Sequence, residues 1–263
     1  MGDHEQGNIT REVQDKIFLI GINRPAKRNA FTWHMLGDFC RAYTEYEANP
    51  ELRCAVVFAH GDHFTAGLDL ADVAPYIQAG DNFIPQDGID PLALYGKARS
   101  KPVIFAVKGY CMTVGIEFML AADVVVAASD ARFQQIEIKR GIYPFGGATI
   151  RMVHAAGWGN AMRYLLTGDE IRAAEAYRIG LVQEVTEPGR ELDRAVAIAR
   201  TVAAQAPLGV QATLDSARTA VTGGFHEAAN KLVPKVMELM QTADAQEGLM
   251  SMIERRPAVF KGR

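Results

Sequence analysis

The stretch AVKGYCMTVGIEFMLAADVVVA, residues 106–127, decides the fold. An apolar run typical of a buried strand leads into a turn from Met112 to Gly115, and a helical pattern follows with Glu117 in its first turn. A second apolar run, DVVVA, closes the stretch. Strand, turn, helix and strand in this order predict an α/β protein.

The same alternation extends outward to both sides. The apolar runs KIFLIGI, CAVVFA and PVIFAVKG precede the stretch, each followed by turn residues and a helical pattern. No Gly-x-Gly-x-x-Gly follows the first run, which argues against a dinucleotide site. Beyond Pro188 the sequence has helical spacing with few strand formers. We therefore predict a core over residues 1–188 and a helical region over 189–263.

Composition limits the partners that we expect. The 263 residues are 49% hydrophobic and carry 28 basic against 31 acidic side chains, a formal charge of −3. This balance argues against binding to nucleic acid or to an anionic membrane. The first twenty residues are polar, and Cys40, Cys54 and Cys111 are scattered without metal-ligand spacing. These features predict a cytoplasmic protein with reduced thiols and no metal site.

Two glutamates are candidates for acid–base chemistry. Glu117 lies at a helix start, where a carboxylate is also favoured by the helix dipole alone. Glu137 lies between Ile136 and Ile138, where it could equally point outward from a strand. For each residue taken alone, catalytic and structural interpretations both stay open.

Three loops complete the set of candidate features. HFTAGLDL, residues 63–70, has a glycine turn that can direct a backbone N–H outward, although an ordinary strand-to-helix turn uses the same residues. NRPAKRNAF, residues 23–31, gathers three cations that suit a phosphate or form a solvated basic loop. We interpret the segment 73–97, rich in proline and glycine, as a mobile flap, although a solvated surface loop is the commoner explanation of such composition. His60 and His63 lack a ligand set and are interpreted as loop residues.

Taken together, these motifs resemble the crotonase, or enoyl-CoA hydratase/isomerase, family from about Ile17 to the end of the chain. The similarity rests on Asn-Arg-Pro and Asn-Ala at 23–30, Ala-Gly-x-Asp-Leu at 66–70, and a glutamate at the spacing of each family acid. The chain departs from the family at Thr113 and Val114, where glycines are usual, and at Ile136, where proline is usual.

The resemblance implies an α/β spiral of repeated β-β-α units. It implies that residues 1–188 carry the acyl-CoA site and that residues 189–263 assemble a homotrimer or dimer of trimers and help to cover the site. It also implies an enzyme that needs no metal or organic cofactor and acts on an acyl-CoA thioester.

Residue roles follow from the same resemblance. The implied catalytic acids are Glu117 and Glu137, and the implied oxyanion hole consists of the backbone N–H groups of Leu68 and Val114. The implied contacts to substrate and CoA are Lys27, Arg28, Ala30, Ala66, Asp69, Leu70, Phe260 and Lys261.

Two glutamates favour an enoyl-CoA hydratase, which adds water to a 2-enoyl-CoA. The dienoyl isomerases and a thioester-hydrolase branch of the family have an aspartate where this chain has Phe145, which counts against both. An enoyl-CoA Δ3-Δ2 isomerase remains an alternative function, because a single well-placed carboxylate is sufficient for that reaction. A catalytically silent scaffold that binds CoA thioesters is the third alternative, favoured by Thr113, Val114 and Ile136.

Overall fold

The computed structural model describes residues 6–263, and within that range nine strands form two sheets. The larger sheet has the order β1-β2-β3-β4-β6-β9, and the smaller sheet has the order β5-β7-β8. The strands are β1 (Asn8–Gln14), β2 (Ile17–Asn23), β3 (Cys54–Ala59), β4 (Val103–Val107), β5 (Tyr110–Met112), β6 (Val124–Ala128), β7 (Arg132–Gln134), β8 (Ile171–Arg172) and β9 (Glu184–Thr186).

Ten α-helices and two short 3₁₀ turns connect and cover the strands in this part of the chain. The helices are α1 (Trp33–Ala48), α2 (Leu70–Ala79), α3 (Val114–Leu120), α4 (Ala148–Ala156), α5 (Trp158–Thr167), α6 (Ala173–Arg178), α7 (Glu191–Ala203), α8 (Pro207–Thr222), α9 (Phe225–Leu239) and α10 (Ala243–Glu254). The 3₁₀ turns are Pro25–Lys27 and Glu137–Arg140.

The larger sheet is parallel except at its first pair of strands. β1 and β2 are antiparallel, whereas β2, β3, β4, β6 and β9 pair in parallel. Parallel strands are covered on both faces, so their sequences are continuous apolar runs rather than alternating ones. Ile17, Leu19, Val56 and Ile104 lie in one buried cluster, on the face that α7 covers. The side chains on the opposite face of the larger sheet form part of the main hydrophobic core.

The predicted helices beyond Pro188 are confirmed as α7 to α10. The first of them, α7, packs Ala195 and Ala199 onto the larger sheet, while α8 and α9 pack mainly against each other. The division into a core over 1–188 and an assembly region over 189–263 stays a prediction.

The interpretation of residues 73–97 as a flap was wrong at its beginning. Helix α2 runs to Ala79 despite Pro75, and Gly80 ends it with φ 76°. Proline lacks an N–H and disfavours helix interiors, so its presence led to a loop prediction. Beyond Gly80 the segment has no helix or strand up to residue 97, apart from an isolated bridge between Ile89 and Lys97.

Candidate active site

The loops 23–31 and 63–70 lock together around one buried side chain, Asn29. Its Oδ1 accepts from the Arg24 N–H at 2.6 Å, and its Nδ2 donates to the carbonyl oxygens of His60 (2.8 Å) and His63 (2.7 Å). The Ala66 N–H in turn donates to the Arg28 carbonyl oxygen at 2.9 Å. An amide is the residue type that can accept and donate in this way, so Asn29 fixes one loop against the other.

The backbone of Leu68 is held with its N–H facing away from loop 23–31. Phe31 donates to the Gly67 carbonyl oxygen and accepts from the Asp69 N–H, both at 2.8 Å. Backbone groups alternate in direction along an extended segment, so the N–H of Leu68 points to the other side. Gly67 has φ 100°, a conformation that favours glycine.

The backbone N–H of Val114 begins helix α3 and has no hydrogen-bond partner in residues 6–263. The preceding residue, Thr113, has φ 49° and ψ −117°, which is strained for a β-branched side chain. The side-chain oxygen of Thr113 lies against Gly67, one residue before Leu68. The structure therefore brings together the two segments that carry the predicted oxyanion-hole amides.

Glu117 is buried in the first turn of α3, with 3% of its surface exposed. Its Oε1 accepts from the backbone N–H groups of Gly146 at 2.6 Å and Ala148 at 3.2 Å. Burial raises the pKa of Glu117, while these two bonds and the charge of Arg151 oppose the rise. Gly146 has its Cα directly against the carboxyl group, which leaves no room for a side chain there.

Glu137 begins a 3₁₀ turn rather than lying on a strand, and 7% of it is exposed. The sequence-based expectation that Ile136 and Ile138 provide its apolar surroundings is only partly met, because Ile138 is 40% exposed. Burial is nevertheless the main cause that raises the pKa of Glu137 to about 7, and the negative charge of Glu117 adds to it.

Gln135 connects the two acids and was not identified from the sequence. In the orientation that satisfies its amide, the side-chain nitrogen lies 3.0 Å and 3.1 Å from the two carboxyl oxygens of Glu137 and 3.2 Å from the Thr113 carbonyl oxygen. The same carbonyl accepts from the Glu117 N–H at 3.3 Å. Gln135 is buried, so this amide fixes Glu137 relative to the turn that begins α3.

The predicted cations of loop 23–31 have different environments. Arg24 is buried and paired with Asp69 at 2.8 Å, so it is not one of the solvated cations of this loop, and phosphate binding by Lys27 and Arg28 stays a prediction. Arg28 lies over the ring of Tyr110, with its Cζ 5.7 Å from the ring centroid. Lys27 is exposed in the 3₁₀ turn. The carboxylate of Asp69 holds Arg24, and the contact of Asp69 with substrate stays a prediction.

The remaining predicted contacts divide into two groups. Ala30, Ala66 and Leu70 lie in the interlocked loops, with Leu70 exposed at the start of α2. Phe260 and Lys261 lie in the C-terminal tail, where the Phe260 carbonyl accepts from Arg53 and the Lys261 N–H donates to Asp244, both at 2.6 Å. These bonds do not place the tail beside the two glutamates of the same chain.

The two loop histidines form hydrogen bonds with other residues of the chain. His60 lies 2.9 Å from the Thr10 hydroxyl, and Nδ1 of His63 accepts from the Tyr110 N–H at 3.2 Å. Residues 6–263 contain no group of three or more histidine, cysteine or acidic side chains arranged for a metal ion. In the same range no helix is both long and apolar enough to cross a membrane.

Comparison with known proteins identifies the family. The model of the enoyl-CoA hydratase/isomerase family matches residues 12–263. This chain belongs to the enoyl-CoA hydratase/isomerase family. It is 34% identical to an enoyl-CoA hydratase of Mycobacterium tuberculosis over 258 residues, 96% of each chain. It is also 31% identical to 2,3-dehydroadipyl-CoA hydratase of Escherichia coli, covering 95% of this chain and 97% of that one.

Solved structures of the family have the same fold. A protein from Mycobacterium abscessus described as a probable enoyl-CoA hydratase/isomerase superposes with a TM-score of 0.95 at 51% identity, covering 97% of this chain and 98% of that chain. The predicted α/β crotonase fold is thereby confirmed. The family assignment made from the sequence motifs is confirmed as well.

Proposed function

We propose that this family member is an enoyl-CoA hydratase that adds water to a 2-enoyl-CoA and gives a 3-hydroxyacyl-CoA. The observation that carries the proposal is the pair of buried carboxyl groups, Glu117 and Glu137, linked through Gln135 and Thr113 to a turn with an unpartnered amide. The names of the similar proteins support the reaction class, since two of them are hydratases of enoyl-CoA thioesters.

In this proposal the thioester oxygen binds the N–H groups of Leu68 and Val114. Glu117, as the carboxylate, removes a proton from water while the water oxygen bonds to Cβ of the substrate. The displaced electron pair moves to the thioester oxygen, where the two amides stabilise the enolate. Glu137, as the acid, then gives its proton to Cα and the carbonyl forms again. One exchange of protons with solvent restores both residues.

The electrostatics of the two acids support this division of roles. Burial raises the pKa of Glu117, but two backbone hydrogen bonds and the charge of Arg151 oppose that rise and favour its ionised form. Glu137 has its pKa raised to about 7, so a large fraction carries a proton near neutral pH. A pair of carboxyl groups whose environments differ in this way supplies one base and one acid.

The same chemistry requires no metal or organic cofactor, because amide donors stabilise the enolate and carboxyl groups transfer both protons. We propose that CoA is bound in part by Lys27 and Arg28, whose charges suit its phosphates. Three buried, unpaired cysteines support a cytoplasmic location.

We further propose that the chain assembles as a homotrimer or a dimer of trimers through its helical C-terminal region. Helices α8 and α9 flank a largely apolar groove of about 770 Å³ that lies away from the two glutamates. Exposed apolar side chains on α9 and α10 support the same assignment, since such patches mark protein contacts: Phe225, Val233, Met237, Met252 and Ile253.

The test is hydration of a short 2-enoyl-CoA, followed by loss of the absorbance of the conjugated thioester. We expect Glu117→Gln and Glu137→Gln each to lower kcat by about 10²- to 10⁴-fold, the range for a general acid or base. The exposed Glu12→Gln is a matched control and should keep wild-type rates. Conversion of a 3-enoyl-CoA without hydration would identify an isomerase, and CoA binding without turnover would identify a silent scaffold.

A further inference from the structure

The hydroxyl group of Thr113 lies between the two segments that carry the proposed oxyanion-hole amides. Its oxygen is packed so closely against Gly67 that any side chain at position 67 would overlap it. Leu68 follows Gly67 directly in the chain, and Val114 follows Thr113. The backbone N–H groups of Leu68 and Val114 have no hydrogen-bond partner within residues 6–263. One side-chain hydroxyl and two free amides therefore share one small region of the fold.

The Thr113 hydroxyl itself has no hydrogen-bond partner among the residues that the structure describes. Thr113 is partly buried, and its oxygen is not one of the fully enclosed, unpartnered atoms of that part of the chain. A hydroxyl group has one proton to donate and rotates to suit its acceptor. The donor is therefore available to an acceptor that enters the site.

The backbone of Thr113 shows that this side chain is held in place against strain. Its φ of 49° and ψ of −117° are unfavourable for a β-branched residue. The N–H donates to the Gln134 carbonyl oxygen at 3.0 Å, and the carbonyl oxygen accepts from Ile116 at 2.9 Å and Glu117 at 3.3 Å. Glycine would make the same bonds without strain. What threonine adds at this position is its side chain, and strained residues of this kind concentrate at functional sites.

A third donor beside two amides suits the charge that forms during hydration. The oxygen of a neutral thioester is satisfied by two donors that lie near the plane of its carbonyl group. Once water has added to Cβ, the same oxygen belongs to an enolate and bears negative charge, so each hydrogen bond to it becomes shorter and stronger. A donor whose bond strengthens in this way stabilises the transition state more than the bound substrate.

We propose that the Thr113 hydroxyl is a third donor of the oxyanion hole and donates a hydrogen bond to the thioester oxygen as the enolate forms. The hydroxyl keeps its proton throughout, so the proton transfers by Glu117 and Glu137 are unchanged. Gly67 makes the arrangement possible, since its lack of a side chain leaves the space that the hydroxyl occupies. This inference rests on the proposed hydratase function and adds one catalytic residue to it.

The experiment centres on Thr113→Val, because valine keeps the β-branched shape and the backbone strain and replaces only the hydroxyl by a methyl group. With a short 2-enoyl-CoA, Thr113→Val should lower kcat by about tenfold or more and change KM by less than about threefold, as expected for an interaction made mainly in the transition state. Thr113→Ser retains a hydroxyl and should keep kcat within about threefold of wild type. Thr201→Val is the matched control, since Thr201 is an exposed threonine of helix α7, and it should keep the wild-type kcat.

Two results would overturn the proposal. One is a smaller fall of kcat in Thr113→Val, and the other is a fall in Thr113→Ser as large as in Thr113→Val, which would mean that the side chain acts through packing alone. Urea denaturation shows whether both variants are folded. If valine is not accommodated, Thr113→Ala removes the hydroxyl with less steric demand, and its comparison with Thr113→Ser decides in the same way.

A second measurement separates the failure of this inference from the failure of the proposed function. A 3-oxoacyl-CoA such as acetoacetyl-CoA ionises to an enolate that absorbs in the near ultraviolet, so its pKa in the bound state reports enolate stabilisation without hydration. Thr113→Val should raise the pKa of this bound thioester by about 1 relative to wild type, equivalent to about tenfold weaker stabilisation, whereas Thr113→Ser should not. If wild-type protein hydrates no 2-enoyl-CoA, the hydratase proposal fails, but this rise still supports the third donor. Equal pKa values of the thioester bound to wild type and to Thr113→Val would contradict the inference.

Discussion

Replacing Glu137 by glutamine should make the protein more stable at alkaline pH and nearly inactive. Glu137 has a pKa of about 7 in the fold, against 4.5 for an unperturbed glutamate. Between these values the folded protein binds more protons than the unfolded chain, so its stability falls as the pH rises. This loss of folding stability begins above about pH 4.5 and is complete once the pH exceeds the pKa of Glu137 in the folded protein.

The magnitude follows from the size of that difference. Each pKa unit corresponds to about 1.4 kcal/mol, so ionised Glu137 costs the fold about 3 kcal/mol at pH 8 and less than about 1 kcal/mol at pH 5. Glutamine has a similar shape and no charge to desolvate. The free energy of unfolding of Glu137→Gln relative to wild type should therefore rise by about 2 to 3 kcal/mol between pH 5 and pH 8.

The assay is urea denaturation of both proteins at pH 5 and pH 8, at one protein concentration. Comparing the same pair at two pH values cancels any packing effect of the substitution itself. Glu184→Gln is the control, because the hydrogen bond from Arg194 lowers the pKa of Glu184 and its neutralisation should give no gain at pH 8. An equal difference between Glu137→Gln and wild type at both pH values would refute the reasoning.

Three further outcomes are expected. Thr113→Gly should raise the free energy of unfolding by about 1 kcal/mol in urea titrations, because relief of the positive φ exceeds the added freedom of the unfolded chain; a loss of stability would contradict this. Gln135→Leu removes a donor that stabilises ionised Glu137, so the descending limb of the pH profile of kcat/KM should move to higher pH, and an unmoved limb would disprove the contact. Lys27→Glu should raise KM for the CoA thioester more than it lowers kcat, whereas an effect on kcat alone would exclude a binding role.

The fold was predictable because its parallel strands are apolar throughout and its turns use distinctive residues. The hydrophobic pattern alone was sufficient to predict strands β2, β3, β4 and β6. Helix α2 was missed because Pro75 is a strong helix-breaking signal in sequence, although the fold retains the helix around it. Local propensity is a weak guide where packing decides the outcome.

The site was predictable only in part. Glu117 and Glu137 stand at the family spacing, so their positions could be read from motifs. Gln135 has no comparable signal, because its importance comes from its contact with a residue in another segment, the Thr113 carbonyl. Thr113 itself stands where glycine is usual, and the structure shows a positive φ there, which is strained for threonine.

The measurement that tests the central claim most directly is hydration of a 2-enoyl-CoA in water labelled with both oxygen-18 and deuterium. Wild-type protein is expected to give a 3-hydroxyacyl-CoA with the labelled oxygen on Cβ and one deuterium on Cα, and Glu117→Gln and Glu137→Gln are each expected to form this product at least about 100-fold more slowly. Labelled product formed at wild-type rates by either variant would contradict the assignment of the two glutamates as base and acid.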